Sequence, residues 1–557
     1  MNKAQSQYSS LAACLVISLC ATLLTLPQFL RGYMVGHDLL YHINWADLFQ
    51  TQFFEGDIYP RWLFDMKGGR GSPVFYFYSP LPYFTSAAFA LFLPEANATW
   101  LSLGLTYCFA LIVSSLGVYW FLTMHTDRKQ AFWFTLLYMG FPYHVVVDLY
   151  IRFAFSEFFA IAWIPYLFIF AKQLADGTKH AVWPLAVTYT LLVLSHIPST
   201  LLITPCIAVY YYVIRENRQR YPGVITALAL GGCLAAFYLL PIIALRNEIS
   251  VDRIVMGHLY YENAFLQIGN RTSVDWSGFL WMLDSLAIAS VVMLFVAFLS
   301  KSKPDKSAWF FSLVCLVSIA MMFPVSRPIW NIFAILMLIQ FPWRFFIVIS
   351  FTLFFLAATA GHHNQARLSK YAYLVMIIIM TSLSVLSSYF SFTKTATHIS
   401  EEHRTIITQS LQTREGVGEY LPAGTPDIYF QKVNTLTLER VERLFTGRQM
   451  PIEQYHQVRG DTIYATIENP IKQVVAMHQF YFPTWHGEYV YDARPLELLG
   501  TPDRFLEFTL DEGIHELVFN HRKTNAEILG IGISLLAFAV VVTNIVWGRR
   551  IPARTDA

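Results

Sequence analysis

Long apolar runs alternate with short polar connectors along most of the chain. Several runs reach the roughly 20 residues that a helix needs to cross a bilayer, and the first extends from Leu11 to Leu30. Basic or polar connectors separate them at 125–130, 172–180, 215–220, 301–306 and 362–370. If these connectors and the basic C-terminal tail are cytoplasmic, as the positive-inside rule expects, the other connectors lie on the far side. The pattern then predicts about twelve spans with both termini cytoplasmic.

This alternation requires one apolar run to be broken. Residues Pro184–Ile214 must form two short helices separated at His196-Ile197-Pro198. Proline has no backbone N–H and ends or kinks a helix, so a break at this point is expected.

Two segments do not fit the pattern of membrane spans. The first connector, 31–82, is rich in aromatic residues, Gly and Pro, and is predicted to be an outer loop with interfacial helices. Residues 393–524 contain no span-length apolar run and show strand-like alternation, as in Thr462–Ile467. We therefore expect a multi-span domain over 1–392, a small mainly β extracytoplasmic domain over 393–524, a final span over 525–547 and a cytoplasmic basic tail over 548–557.

Composition supports a polytopic α-helical membrane protein. Of 557 residues, 55% are hydrophobic and only 14% are charged, whereas a soluble chain carries about a quarter charged residues. No basic stripe or recognition motif favours nucleic acid as a partner. All six cysteines lie within apolar runs, which argues against a disulfide framework or a cysteine metal site.

The first connector carries an acid between two histidines, Asp38 between His37 and His42, immediately after the first apolar run. Ionisable groups at a membrane boundary are costly to desolvate, and their default interpretation is functional. The orientation above predicts further polar groups on the same side: Asp148, Arg152, Glu157, His196, Arg253, Tyr260, Tyr261, Glu262, Arg271, Arg327 and Arg344.

These residue types suit transfer chemistry at a lipid phosphate. A carboxylate can act as general base for an acceptor hydroxyl, and arginines can bind a phosphate and stabilise its charge as it leaves. Simpler roles remain open. Asp38 can be a helix N-cap, and Arg152 can pair with Glu157 or anchor a span end. Arg344, after Pro-Trp, can be an interfacial anchor, and His196 can bond carbonyls freed by the helix break.

Metal and cofactor use is not favoured by the spacing. His37 and His42 are five residues apart and lack the i, i+4 spacing of a helical metal-binding pair. No cofactor is predicted, although the pattern leaves a divalent metal possible.

Several motifs carry a resemblance to known membrane proteins. The chain resembles bacterial proteins described as 6-pyruvoyl-tetrahydropterin synthase-related, and YfhO-like proteins, in Gly36-His37-Asp38-Leu39-Leu40-Tyr41-His42, Gly56–Trp62, Gly71–Tyr83, Asp148–Glu157, Ser195-His196, Phe341-Pro342-Trp343-Arg344 and Phe480–Trp485. These proteins look like members of the GT-C superfamily, membrane glycosyltransferases that use polyprenyl-phosphate sugars. The resemblance implies that Asp38 is the catalytic base. Many GT-C enzymes have two adjacent acids in this loop, whereas here His37 precedes a single acid.

The sequence thus predicts an inverting transferase on the periplasmic face of the bacterial inner membrane. It would move a sugar from undecaprenyl phosphate to a glycan, lipid or protein acceptor. Asp38 would be the base, Arg152 and Arg344, with Arg271 or Arg327, would hold the phosphate, and the supporting residues would be His37, His42, Glu157, His196, Tyr260 and Glu262. A polymerase or ligase of whole glycans, a flippase of lipid-linked saccharides and a non-catalytic envelope scaffold remain alternatives.

Overall fold

A computed structural model describes most of the chain. The described residues are 3–25, 36–94, 98–216, 223–250, 253, 260–267, 277–300, 305–360, isolated positions between 378 and 389, 420–423, 425, 453–500 and 505–548. Arg271, most of the predicted extracytoplasmic domain before residue 453, and the C-terminal tail lie outside this set.

Helices dominate the described part of the chain. Their bounds are α1 Lys3–Thr25, α2 Leu39–Phe54, α3 Leu81–Ala90, α4 Ala98–Thr123, α5 Arg128–Met139, α6 Phe155–Ala160, α7 Ile164–Ala175, α8 Val182–Ser195, α9 Ile197–Ile214, α10 Gly223–Leu234, α11 Ala236–Leu245, α12 Ser277–Ser300, α13 Lys306–Met321, α14 Arg327–Ile332, α15 Phe346–Ala360 and α16 Asn525–Gly548. Four-residue helical turns cover Met66–Gly69 and Val74–Phe77, a π-helix covers Tyr143–Ile151, and 3₁₀ turns cover Lys179–Ala181, Arg246–Glu248, Tyr261–Ala264, Pro324–Ser326, Ala334–Ile339 and Pro342–Phe345.

Seven helical segments in the described residues are long and apolar enough to cross a membrane, or up to nine if each of two bent pairs counts as one span. The polytopic helical architecture is therefore confirmed at this level. The expected total of about twelve spans stays a prediction, because part of the chain lies outside the described residues.

The helix break expected at His196 is confirmed. Helix α8 ends at Ser195, His196 has extended backbone, and α9 begins at Ile197. A second break separates α10 from α11, which meet at 71°. There the Ser534 hydroxyl of α16 accepts from the freed Phe237 N–H and donates to the Cys233 carbonyl, at 3.0 and 3.1 Å. A side chain of the last helix thus satisfies backbone groups that the break exposes.

The C-terminal region folds as two antiparallel sheets. Strands β1 Glu453–Arg459, β2 Thr462–Asn469, β4 Trp485–Tyr489 and β7 Gly513–His521 form one sheet in the order β1-β2-β7-β4. Strands β3 Gln473–Phe480, β5 Leu499–Gly500 and β6 Phe505–Leu510 form the other, in the order β3-β6-β5. Ile463, Ala465 and Ile467 of β2 are buried, so the alternation recognised in the sequence is the inward face of a strand.

The β-sheets pack against the first loop, residues 36–82. Trp62 and Phe64 of this loop belong to the same buried cluster as the sheet interior. Gln479 accepts from the Trp62 indole at 3.0 Å and donates to the Gly69 carbonyl at 2.7 Å. The first loop, which carries Asp38, is therefore fixed between the helices and the β-sheets.

Candidate active site

Asp38 lies at the beginning of α2, where the first loop meets the end of the π-helix. The backbone N–H groups of His37 and Asp38 donate to the carbonyls of Ile151 and Arg152, at 3.0 and 2.8 Å. A Cβ added at Gly36 would lie 2.8 Å from the Cβ of Phe153. Only glycine permits this close approach, which brings Asp38 beside Arg152.

The Asp38 carboxylate does not cap α2. Asp38 occupies the N-cap position with φ −104° and ψ 0°, and its side chain makes no capping hydrogen bond. One carboxylate oxygen lies 3.9 Å from Arg152 Nη2, and 39% of the side-chain area is exposed. The capping role considered from the sequence is therefore not the one this side chain plays, and its oxygens face an accessible space.

Behind Asp38, two arginines share one buried glutamate. Glu157 Oε2 accepts from Arg152 Nη1 at 2.8 Å and from Arg344 Nε at 2.9 Å. The other oxygen, Oε1, accepts from the Tyr143 hydroxyl at 2.6 Å. All four side chains are buried. Glu157 therefore orients both predicted phosphate-binding arginines rather than Arg152 alone.

The π-helix supplies a further acid to this cluster. Asp148, which is fully buried, accepts from Arg152 Nη1 at 3.1 Å. Two buried acids, Asp148 and Glu157, thus contact Arg152, and Glu157 also contacts Arg344. Asp148 lies within the π-helix and Arg152 directly follows it, and π-helical turns are frequent at functional sites.

Arg344 is positioned by a strained turn. Gln340 has φ +64° and ψ −57°, and the Phe341 N–H donates to the Ile339 carbonyl at 2.7 Å, which closes a γ-turn around Gln340. Arg344 Nη1 donates to the same carbonyl at 2.7 Å and to Gln340 Oε1 at 3.0 Å. Non-glycine residues rarely adopt this backbone conformation, and such strain is concentrated at functional sites.

Neither guanidinium group uses all of its nitrogens in hydrogen bonds among the described residues. Within the described residues, Nη2 of Arg152 and Nη2 of Arg344 make no hydrogen bond. Neither nitrogen is fully buried, so a ligand can reach both. Both cations also lie over the ring of Phe341, at 5.7 and 5.0 Å from its centroid. Two fixed cations with free donors beside a carboxylate can bind an anionic group such as a phosphate.

The three histidines take different positions. His42 is buried, with Nδ1 2.6 Å from the Tyr83 hydroxyl. Loss of hydration, reinforced by the charge of Arg152, lowers the pKa of His42 to about 3, so its imidazole is neutral. His196 caps α9 by accepting from the Ser199 N–H at 3.3 Å, and His37 makes an edge contact with Phe279. His196 therefore has a local structural role, but it caps a backbone N–H instead of bonding the freed carbonyls considered from the sequence.

The ionisation of Asp38 is set by opposing effects. Loss of hydration raises the pKa of its carboxyl, and the nearby Glu157 raises it further. The charges of Arg152 and Arg344 oppose this rise. A carboxylate whose pKa is raised in this way accepts a proton more readily than an ordinary aspartate, as a general base requires.

The remaining predicted residues lie elsewhere or outside the described chain. Arg327 Nε pairs with Glu262 Oε1 at 3.2 Å, and 51% of the Arg327 side chain is exposed. Tyr260 stacks obliquely on Tyr261, next to the same pair. Among the described residues, no hydrogen bond or ion pair joins Arg327, Glu262 or Tyr260 to the Asp38 cluster. Arg271 lies outside them, so its predicted role stays a prediction.

No pattern in the sequence indicates a role for Tyr143 or Gln340. Tyr143 precedes Glu157 by 14 positions and meets it through the π-helix, and Gln340 acts through a γ-turn, so neither contact follows from helical spacing. In the described part of the chain, no group of three or more His, Cys, Asp or Glu residues is arranged to hold a metal ion.

No family model and no curated protein matches the chain. Solved structures of the arabinofuranosyltransferase AftD from Mycobacteria match with a TM-score of 0.46 and 13% identity, over 91% or 92% of this chain. The chain spans only 40–42% of the length of those proteins. A similarity of this degree does not establish a shared fold or activity, so the GT-C resemblance stays an expectation from the sequence.

Proposed function

We propose that the protein is a membrane glycosyltransferase that moves a sugar from a polyprenyl-phosphate donor to a hydroxyl acceptor, with inversion at the anomeric carbon. The observation that supports this most is the position of Asp38, whose carboxylate makes no capping bond, beside Arg152, which shares Glu157 with Arg344. The site would lie on the periplasmic face of the bacterial inner membrane.

In the proposed reaction, Asp38 accepts the proton of the acceptor hydroxyl while the hydroxyl oxygen attacks the anomeric carbon of the sugar. The bond between that carbon and the phosphate oxygen breaks, and the phosphate leaves with the electron pair. Nη2 of Arg152 and Nη2 of Arg344 donate to the departing phosphate and stabilise its charge. Arg152 Nη2 also lies 3.9 Å from the Asp38 carboxylate, which supports a role for both side chains at one bound substrate.

Glu157 acts as a positioning residue in this scheme. It holds Nη1 of Arg152 and Nε of Arg344, so the free nitrogens of the two cations keep a fixed separation. Fixed donors need no reorganisation as charge develops on the leaving group, which is the main source of electrostatic catalysis. Gln340 supports the same arrangement from the other side of Arg344.

The test is sugar transfer by the purified protein in liposomes. Radiolabelled undecaprenyl-phosphoryl glucose, galactose, mannose and arabinose serve as donors, and octyl glycosides serve as hydroxyl acceptors. We expect Asp38→Asn to lower transfer by about 10²–10⁴-fold, the usual contribution of a general base. Asp65→Asn is the matched control, because Asp65 is an exposed acid of the same loop, and it should retain wild-type transfer.

Three outcomes would contradict the proposal. They are absence of transfer by the wild type with every donor, wild-type transfer by Asp38→Asn, or equal loss in both variants. Movement of the lipid-linked sugar across the liposome bilayer without an acceptor would instead support the flippase alternative.

A further inference from the structure

A large cavity lies between α8, α10, α11, α16, the first loop and the end of β7. Its volume is about 710 Å³, within the range typical of sites for small ligands. None of Asp38, Arg152, Glu157 or Arg344 lines it. The cavity is therefore separate from the candidate active site.

The wall of this cavity is apolar where it follows the candidate spans. It includes Leu191 and Leu194 of α8 and Leu535, Phe538 and Val541 of α16. Lining residues on α16 extend from Glu527 to Val541, and fourteen residues of helix rise about 21 Å. The hydrocarbon core of one leaflet is about 15 Å deep. The wall is thus long enough to accommodate an acyl chain from headgroup level to the middle of a bilayer.

The mouth of the cavity is lined by charges of both signs. Arg61 and Glu527 pair with each other at 3.3 Å. The remaining charged lining residues are two acids and two bases: Asp57, Asp461, Arg522 and Lys523. The acids come from the first loop and the β1–β2 turn, and the bases follow β7. A headgroup that carries one anion and one cation complements such a mouth better than a purely anionic one.

Arg61 adds an independent indication of a ligand. Its Nη2 donates to the Phe237 carbonyl at 2.9 Å, and its ring neighbours Tyr59 and Tyr76 hold the guanidinium in place. Nη1 is buried and has no hydrogen-bond partner among the described residues. A buried donor without a partner is costly, so the contacts that fix Arg61 leave its positive charge only partly compensated.

We infer that this cavity binds a membrane phospholipid with a zwitterionic, amine-bearing headgroup. The phosphate lies against Arg522, Lys523 and Arg61, and the ammonium lies against Asp57 and Asp461. One acyl chain lies along α8 and α16. Since the cavity joins the β-sheets to the helices, the bound lipid would also stabilise their packing.

The test is photo-crosslinking of the full-length protein in vesicles. The vesicles contain phosphatidylethanolamine, phosphatidylcholine or phosphatidylglycerol, each with a diazirine on one acyl chain, and the labelled peptides are identified by mass spectrometry. We expect phosphatidylethanolamine to label the peptides of α8 and α16 most strongly. Loss of charge-assisted contacts in Arg522→Glu/Lys523→Glu should lower that labelling by about tenfold or more.

Two further variants make the result specific. Lys472→Glu/Arg494→Glu is the matched control, because both side chains are at least 70% exposed on the β-sheets outside the cavity, and it should label like the wild type. Leu535→Trp fills the apolar wall and should reduce labelling while the mouth remains intact. Equal labelling by all three lipids, a preference for phosphatidylglycerol, or an equal loss in the control would overturn the inference. Thermal unfolding of each variant distinguishes loss of lipid from loss of fold.

Discussion

Glu157→Gln is the most informative perturbation of the buried cluster. The substitution preserves the volume of the side chain but removes the negative charge that two arginines share. Arg152 and Arg344 contact Glu157 at 2.8 and 2.9 Å, and their side chains are 4% and 8% exposed. After the substitution, the remaining acids beside the two buried cations would be Asp148, at 3.1 Å from Arg152, and Asp38, at 3.9 Å from Arg152.

The expected cost follows from this burial. Two opposite charges 4 Å apart attract by about 4 kcal/mol at an effective dielectric constant of about 20. Removing one partner of a buried ion pair generally costs about 3–5 kcal/mol, because the other charge stays desolvated. We therefore expect Glu157→Gln to lower the free energy of unfolding by about 3–5 kcal/mol.

The assay is equilibrium unfolding by SDS in mixed micelles, followed by tryptophan fluorescence and extrapolated linearly. Asp176→Asn is the control, because Asp176 pairs with Lys172 at a similar distance, 2.9 Å, but is 53% exposed. Its loss should be about 0.5 kcal/mol or less. Equal losses in the two variants, or a loss below about 1 kcal/mol for Glu157→Gln, would refute the account of a buried cluster held by one carboxylate.

Three further predictions concern the same site and its support. Activity should fall as the pH drops through the pKa of Asp38, because protonated Asp38 cannot accept a proton. The charge of Arg152 lowers this pKa, so Arg152→Gln should move the acidic limb of the kcat/KM profile to higher pH. Gln340→Ala keeps the strained backbone and loses the bond to Arg344, whereas Gln340→Gly relieves the strain. We expect Gln340→Ala to be less stable than Gln340→Gly by about 0.5–1 kcal/mol in the same SDS titration. Equal stabilities of these two variants would contradict the strained turn. Gln479→Leu removes the hydrogen bonds to the first loop and leaves buried partners unsatisfied, at a cost of about 1–3 kcal/mol; faster hydrogen exchange in β3 is the expected signal, and unchanged exchange would argue against this contact.

Patterns among neighbouring residues predicted the helix break, the strand and the apolar helices. Proline after His196 identified the helix break, and alternation in Thr462–Ile467 identified a strand with one buried face. Apolar runs of span length identified the membrane helices. Each of these features is determined by residues close together in the chain.

Contacts between distant residues could not be predicted in the same way. Arg344 reaches Glu157 across 187 positions, and only the packing of the helices reveals that Glu157 serves two arginines. The γ-turn at Gln340 and the π-helix before Arg152 have no sequence pattern as clear as a proline break. Asp38 illustrates the converse, since its sequence suits an N-cap but its backbone angles give the carboxylate no capping bond.

The central claim is that Asp38 removes the acceptor proton while the arginines bind the lipid phosphate. The most direct measurement is a single-turnover experiment that records both donor binding and sugar transfer for Asp38→Asn and Arg344→Gln. Asp38→Asn should bind undecaprenyl-phosphoryl sugar like the wild type and lose transfer by about 10²-fold or more. Arg344→Gln should weaken donor binding by about tenfold or more. Wild-type transfer in Asp38→Asn, or unchanged donor binding in Arg344→Gln, would contradict the account.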